Sequence, residues 1–109
     1  MENTVEKWLV DRHNVLFQER KAKNGKYIMC VRVSSADDSY KDHCKQRKKR
    51  YASMKINQAM EKLGFVMMNT PVRNTKVCIW TMEKTEFDEL ITRLNSIHNL
   101  EYIEFEDDI

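Results

Sequence analysis

Residues 15–33 read VLFQERKAKNGKYIMCVRV, two strand-like runs on either side of Asn24-Gly25. Asn-Gly is the strongest short hairpin signal, because both residues tolerate the positive φ that a tight turn between twisted strands requires. The spacing predicts strands near 15–22 and 26–34. Where this hairpin sits in a sheet decides the fold, because another segment competes for the same neighbour.

Upstream, Val5, Trp8, Leu9 and Leu16 recur at helical spacing behind Thr4, a capping residue type, so TVEKWLVDRH reads as a short amphipathic helix. Downstream, the polar stretch SSADDS supplies capping candidates for a long segment that reaches Leu63 without Pro or Gly, which predicts a helix. Gly64 follows as the residue that ends a helix in a left-handed turn, with Phe65 placed to close over the last turn. FVMMN then reads as a short strand, TPVRNT as a loop because Pro71 cannot donate to a ladder, and KVCIWTM as a strand apolar on both faces. Thr85 and Asp88 open a final helix in the manner of a capping box, with Phe87, Leu90, Ile91, Leu94 and Ile97 as its apolar stripe. NLEYIEFEDDI alternates like an edge strand and ends in acids.

Without the first helix and first strand, the order is β-α-β-β-α-β. That pattern predicts an α+β, ferredoxin-like split βαβ sandwich, an antiparallel sheet with two helices, to which an N-terminal helix and an extra hairpin strand are added. KYIMCVRV and KVCIWTM should be central, FVMMN and LEYIEF edges. The difficulty is that the Asn24-Gly25 hairpin and LEYIEF claim the same side of KYIMCVRV. Either the hairpin displaces LEYIEF, or residues 14–25 peel away as an arm able to pair with another copy.

At 109 residues the chain has the size of a single domain, divided by this reading into an N-terminal helix and hairpin arm (1–25), an α+β core (26–105) and an acidic tail (106–109). The charged opening MENTVEKWLVDRHN does not resemble a signal peptide, and no apolar run approaches the ~20 residues of a membrane span, so the expected location is cytoplasmic, with no membrane partner. Cys30, Cys44 and Cys78 show no C-x-x-C spacing; reduced thiols are expected, with Cys30 and Cys78 buried in strands. Net charge is only +2, but residues 1–64 hold 15 Lys/Arg against 8 Asp/Glu, while residues 65–109 hold 4 against 9. Such polarity suits an anionic partner at one end and a cationic partner or self-association at the other.

The cations concentrate in KDHCKQRKKRYASMK, residues 41–55. On one continuous helix, Ala52, Ile56, Ala59, Met60 and Leu63 form a core stripe that, projected upstream, meets Lys41, Lys45, Lys48 and Lys49. Burying unpaired Lys is costly, so the basic half must overhang the core, bend away, or lead into a helix that starts nearer Tyr51. Tyr40, Cys44, Tyr51 and Met54 form a second stripe suited to a partner or a second subunit. Lys41, Lys45, Arg47, Lys48, Lys49, Arg50 and Lys55 are the candidate phosphate contacts, with Tyr40 and Tyr51 as candidate stacking platforms and Arg32 as an extension of the basic surface. Arg20, Lys21, Lys23 and Lys26 are secondary candidates. The competing reading is an ordinary solvated charged surface. Aromatic RNA-binding strands are not indicated, since the RNP1 pattern is absent and Trp80, the lone aromatic of its strand, reads as core.

No catalytic, cofactor or metal signature is present in the sequence. His13, His43 and His98 lack ligand spacing, and two glycines cannot make a phosphate-cradling loop. Asp37 and Asp38 are the one pair that could hold Mg²⁺ for phosphodiester hydrolysis, against the simpler role of helix capping. The acidic end reads as a protected edge strand with a tail, or as a mimic of nucleic acid. The leading expectation is a small non-enzymatic regulatory protein that binds DNA or RNA through residues 41–55. The alternative is an adaptor or inhibitor of a host protein complex, of the small viral or mobile-element kind, with Tyr40, Tyr51, Met54 and the acidic end as its contacts. A Mg²⁺-dependent nuclease is third, and a homodimer is compatible with each.

Overall fold

The computed structural model describes residues 4–106, with side chains through His98. The elements are α1 (Thr4–Leu16), β1 (Gln18–Lys21), β2 (Tyr27–Arg32), α2 (Val33–Gln46), α3 (Ser53–Leu63), β3 (Val66–Val72), β4 (Thr75–Glu83) and α4 (Lys84–Glu106). The four strands form one antiparallel sheet in the order β1-β2-β4-β3.

This α+β architecture keeps the expected central strands, β2 and β4, and the expected edge, β3, but it is not the ferredoxin-like sandwich. The place beside β2 belongs to β1, joined through the hairpin at Asn24-Gly25, with Gly25 at φ 87° and the Asn24 carboxamide oxygen accepting the Lys26 N–H at 2.9 Å. LEYIEF, expected as the other claimant, is not a strand: α4 runs on through Glu106. Glu-rich alternation was a weak strand signal beside an uninterrupted helix with neither Pro nor Gly to stop it. The tail at 107–109 lies outside the described residues.

The segment from Val33 to Leu63, read as one helix behind a polar lead-in, is two helices. α2 starts directly after β2 with Arg32 as the extended preceding residue, so Ser34, Ser35, Asp37 and Asp38 lie inside the helix and make no cap. α2 buries Ala36, Tyr40, His43 and Cys44, and α3 buries Ile56 and Met60. At ~100° per residue, these stripes would fall on nearly opposite sides of one straight helix. Both reach the same core only because the chain breaks between them.

α2 and α4 pack on β2 and β4, and α1 packs against both helices. Trp8 and Trp80 are fully buried, Trp8 donating from Nε1 to Ser39 Oγ at 3.0 Å and meeting Tyr40 edge-on at 5.8 Å. Phe17, Phe65 and Phe87 form an aromatic trio at centroid distances of 4.9 to 6.2 Å, tying the starts of β1 and β3 to α4. Lys84 ties α4 to β1 by an ion pair with Glu19 (3.1 Å) and also pairs with Asp88 (3.5 Å) one turn along α4, and the Glu19 carboxylate is the main cause of its raised pKa.

The helices cover the sheet face that carries Met29, Val31, Trp80 and Met82. The opposite face is open; Gln18, Arg20, Ile28, Cys30, Arg32, Thr70, Val72, Val77 and Ile79 line a shallow depression of about 660 Å³ on it. TPVRNT is not a loop: β3 continues through Pro71 to Val72, and a two-residue turn, Arg73-Asn74 at φ 48° and 68°, leads into β4. Pro71 is tolerated because β3 is an edge and a proline nitrogen can face outward there.

Candidate nucleic-acid interface

Six residues, Arg47 to Ala52, separate α2 from α3, and they carry the densest part of the basic run. α2 ends in a defined hydrogen-bonded turn. The Lys49 N–H reaches back to the Cys44 carbonyl at 2.8 Å and the Lys48 N–H to the Lys45 carbonyl at 3.2 Å, while Lys48 adopts φ 54°. This is the Schellman arrangement, in which the left-handed residue is usually glycine because any Cβ is strained there. Here it is a lysine.

The linker then returns along α2. Tyr51 donates a short hydrogen bond from its hydroxyl to Asp37, and the Lys41 ammonium sits 5.7 Å from the centre of the Tyr51 ring. Asp37, Lys41 and Lys45 follow one another at four-residue intervals on a single side of α2. The linker therefore lies beside that row, and Lys41, Lys45, Lys48, Lys49 and Arg50, all exposed, form one ridge. Among the described residues, no carboxylate lies within ion-pair distance of Lys41, Lys45, Lys48, Lys49, Arg50 or Lys55.

Two expected members are set apart. Arg47 points back into the fold, pairing with Asp11 at 3.2 Å and meeting His43 Nδ1 at 2.9 Å, so its charge is partly neutralised. Lys55 is exposed on α3 but lines a separate depression with Glu6 and Lys62.

The structure places the two tyrosines differently from the expected stacking surface. Tyr40 is 3% exposed, packed on Trp8, His43 and Tyr51, and cannot stack on a base; burial, with a smaller contribution from Cys44, pushes its phenol above the ordinary range. Tyr51 is half-buried with its hydroxyl held by Asp37, a bond that raises its pKa. Tyr40 and Cys44 thus belong to the core, and the partner-facing stripe expected of them reduces to Met54, 69% exposed.

Arg32 is exposed but does not extend the ridge. It precedes α2, nine residues and so roughly 14 Å along the helix axis from Lys41, and it lies on the open sheet face with Arg20. Lys21 and Lys26 stay with the hairpin, Lys26 pairing with Glu83 at 3.8 Å and Lys21 lying 6.0 Å from the Tyr27 ring; Lys23 is exposed in the turn.

For the nuclease reading, Asp37 is engaged by Tyr51 and Asp38 is its exposed helical neighbour, pointing elsewhere on α2. Among the described residues, no group of three His, Cys, Asp or Glu side chains is placed to hold a metal ion. The cysteine expectation also needs correction, because Cys30 is half-buried and Cys78 is exposed on β4, its thiol bonded to the Asn69 carboxamide at 2.9 Å. Both occupy strands, but neither strand is enclosed on every side.

The reading that the basic half leads into a helix starting nearer Tyr51 agrees with α3 beginning at Ser53, but a separate helix upstream, ending in a left-handed turn at Lys48, was not expected. The signal was available in the near-opposite placement of the Tyr40/Cys44 and Ile56/Met60 stripes, which no single helix could bury together. No helix among the described residues is long and apolar enough to cross a membrane. Compared with protein-family models, curated proteins and solved structures, the chain matches none.

Proposed function

We propose that the protein is a small non-enzymatic regulatory factor that binds nucleic acid through Lys41, Lys45, Lys48, Lys49 and Arg50. The observation that carries this reading is the linker with the adjoining side of α2: five exposed cations, Lys48, Lys49 and Arg50 in the linker and Lys41 and Lys45 on α2, with no carboxylate at ion-pair distance among the described residues, and with the turn at Lys48 fixed by its own backbone hydrogen bonds. Holding these cations in place lowers the conformational entropy lost when phosphates bind. With Tyr40 buried and Tyr51 engaged, the ridge offers phosphate contacts and no stacking platform. Phosphate contacts give affinity and orientation but no sequence reading.

Replacing Lys48, Lys49 and Arg50 together with Gln tests the reading. These residues are exposed, so the fold should persist by circular dichroism. Affinity for every DNA or RNA sequence should fall together, and the salt dependence should flatten by ~0.9 for each duplex phosphate that is no longer neutralised. Unchanged affinity and slope would overturn it.

A further inference from the structure

The two edges of the sheet are built in opposite ways. β1 is four residues long, Gln18-Glu19-Arg20-Lys21, wholly exposed and mostly charged. Short charged edges resist pairing with other strands. β3 is seven residues long and reads VMMNTPV, without a single charge. Val66, Met67 and Met68 are 59%, 42% and 51% exposed on it.

The hydrogen-bonding direction along β3 follows from its turn. Arg73-Asn74 is a two-residue connection, so Val72 and Thr75 close it as a bonded pair. Bonded and unbonded pairs alternate along an antiparallel ladder. Val66, Met68, Thr70 and Val72 therefore direct their backbone groups at β4, while Met67, Asn69 and Pro71 direct theirs away from the sheet. Pro71 has no N–H, so the usable outward groups are those of Met67 and Asn69, followed by a proline that limits the register.

We propose that β3 pairs antiparallel with β3 of a second copy, about a twofold axis at Met68, giving one eight-stranded sheet. In this register Met67 of each copy exchanges both backbone hydrogen bonds with Asn69 of the other. A shift that centred the axis on Asn69 would leave the Met67 carbonyl opposite the nitrogen of Pro71, which has no proton to donate. On the open face, Met68 meets its counterpart and Val66 lies opposite Thr70, so the exposed apolar side chains of each edge cover those of the other. A charge-free strand meets its own copy without like-charge repulsion, which makes a second copy the fitting occupant. A seven-residue strand spans only ~23 Å. The shared strip is therefore small, and association should depend on protein concentration.

Sedimentation equilibrium of the full chain over a wide concentration range tests this. The wild type should pass from monomer to dimer. Asn69→Pro removes an outward N–H and should abolish the dimer while leaving the β3–β4 ladder intact. Met68→Lys sets two like charges across the axis and should weaken association at least tenfold, and it serves as the independent variant if Asn69→Pro fails to fold. A wild type that stays monomeric at every concentration, or a dimer unaffected by Met68→Lys, would overturn the proposal.

Discussion

Two helix ends in this protein share one hydrogen-bond pattern and differ in the residue that makes it possible. At the end of α3, the Gly64 N–H bonds to the Glu61 carbonyl and the Phe65 N–H to the Met60 carbonyl, both at 3.0 Å, with Gly64 at φ 106°. At the end of α2, Lys48 and Lys49 take the places of Gly64 and Phe65. The α3 end is sealed by buried side chains, since Phe65 and Met60 are 3% and 0% exposed. At the α2 end Cys44 is buried but Lys49 is exposed. One turn is sealed by buried side chains, while the other carries backbone strain, leaves its apolar contact unmade and has cations at its surface. Strain of this kind, held where the surrounding structure fixes it, is a pointer to function.

The largest test of the contrast removes the seal. Phe65→Ala at the α3 end takes an aromatic ring out of the trio with Phe17 and Phe87 and should cost ~3–5 kcal/mol. Lys49→Ala at the matching place should stay within ~0.5 kcal/mol of wild type. Urea unfolding of the two variants decides it. Comparable losses would show that the α2 end also depends on its side chain and would erase the distinction.

A smaller effect isolates the backbone. A Cβ on Gly64 would meet only Met82 Cε, at 3.5 Å, an ordinary contact, so Gly64→Ala reports the left-handed conformation almost alone. Strain of ~1–2 kcal/mol, less the ~0.5–1 kcal/mol by which Gly loosens the unfolded chain, gives a net loss of ~0.5–1 kcal/mol. Thermal and urea unfolding should agree on it. No loss would mean that the α3 end relaxes to another turn.

The parts of the fold readable from the amino acids are those where local chemistry and packing agree. Asn24-Gly25 made its hairpin, Gly64 ended its helix, and Val5, Trp8, Leu9 and Trp80 went to the core, because each has one inexpensive solution. The failures share a different cause. Arg73-Asn74 turns the chain without glycine, and Lys48 does the same, so neither carried the usual mark of a positive φ. LEYIEF alternated like a strand, but its place in the sheet was already filled by β1, a decision made by tertiary pairing. Within the site, the cations were visible as composition. Tyr40 was not recognisable as core, because its stripe becomes apolar only once Ala36 and Cys44 are assigned to a separate helix.

The smallest and most informative change is Lys48→Gly. By the same balance as at Gly64, with the sign reversed, relieving the left-handed strain should stabilise the protein by ~0.5–1 kcal/mol. The same change removes one ridge charge, so nucleic-acid affinity should fall and the salt slope should drop by up to ~0.9 on duplex DNA. Stability and binding would then move in opposite directions, as expected where a residue is kept for its charge despite its conformation. Lys48→Asn separates the two contributions, since Asn tolerates the left-handed region yet carries no charge. It should recover part of the stability and none of the binding. If Lys48→Gly stabilises the fold while affinity stays at the wild-type level, the lysine is conformational accident, and the ridge must be reassigned to Lys41, Lys45, Lys49 and Arg50 alone.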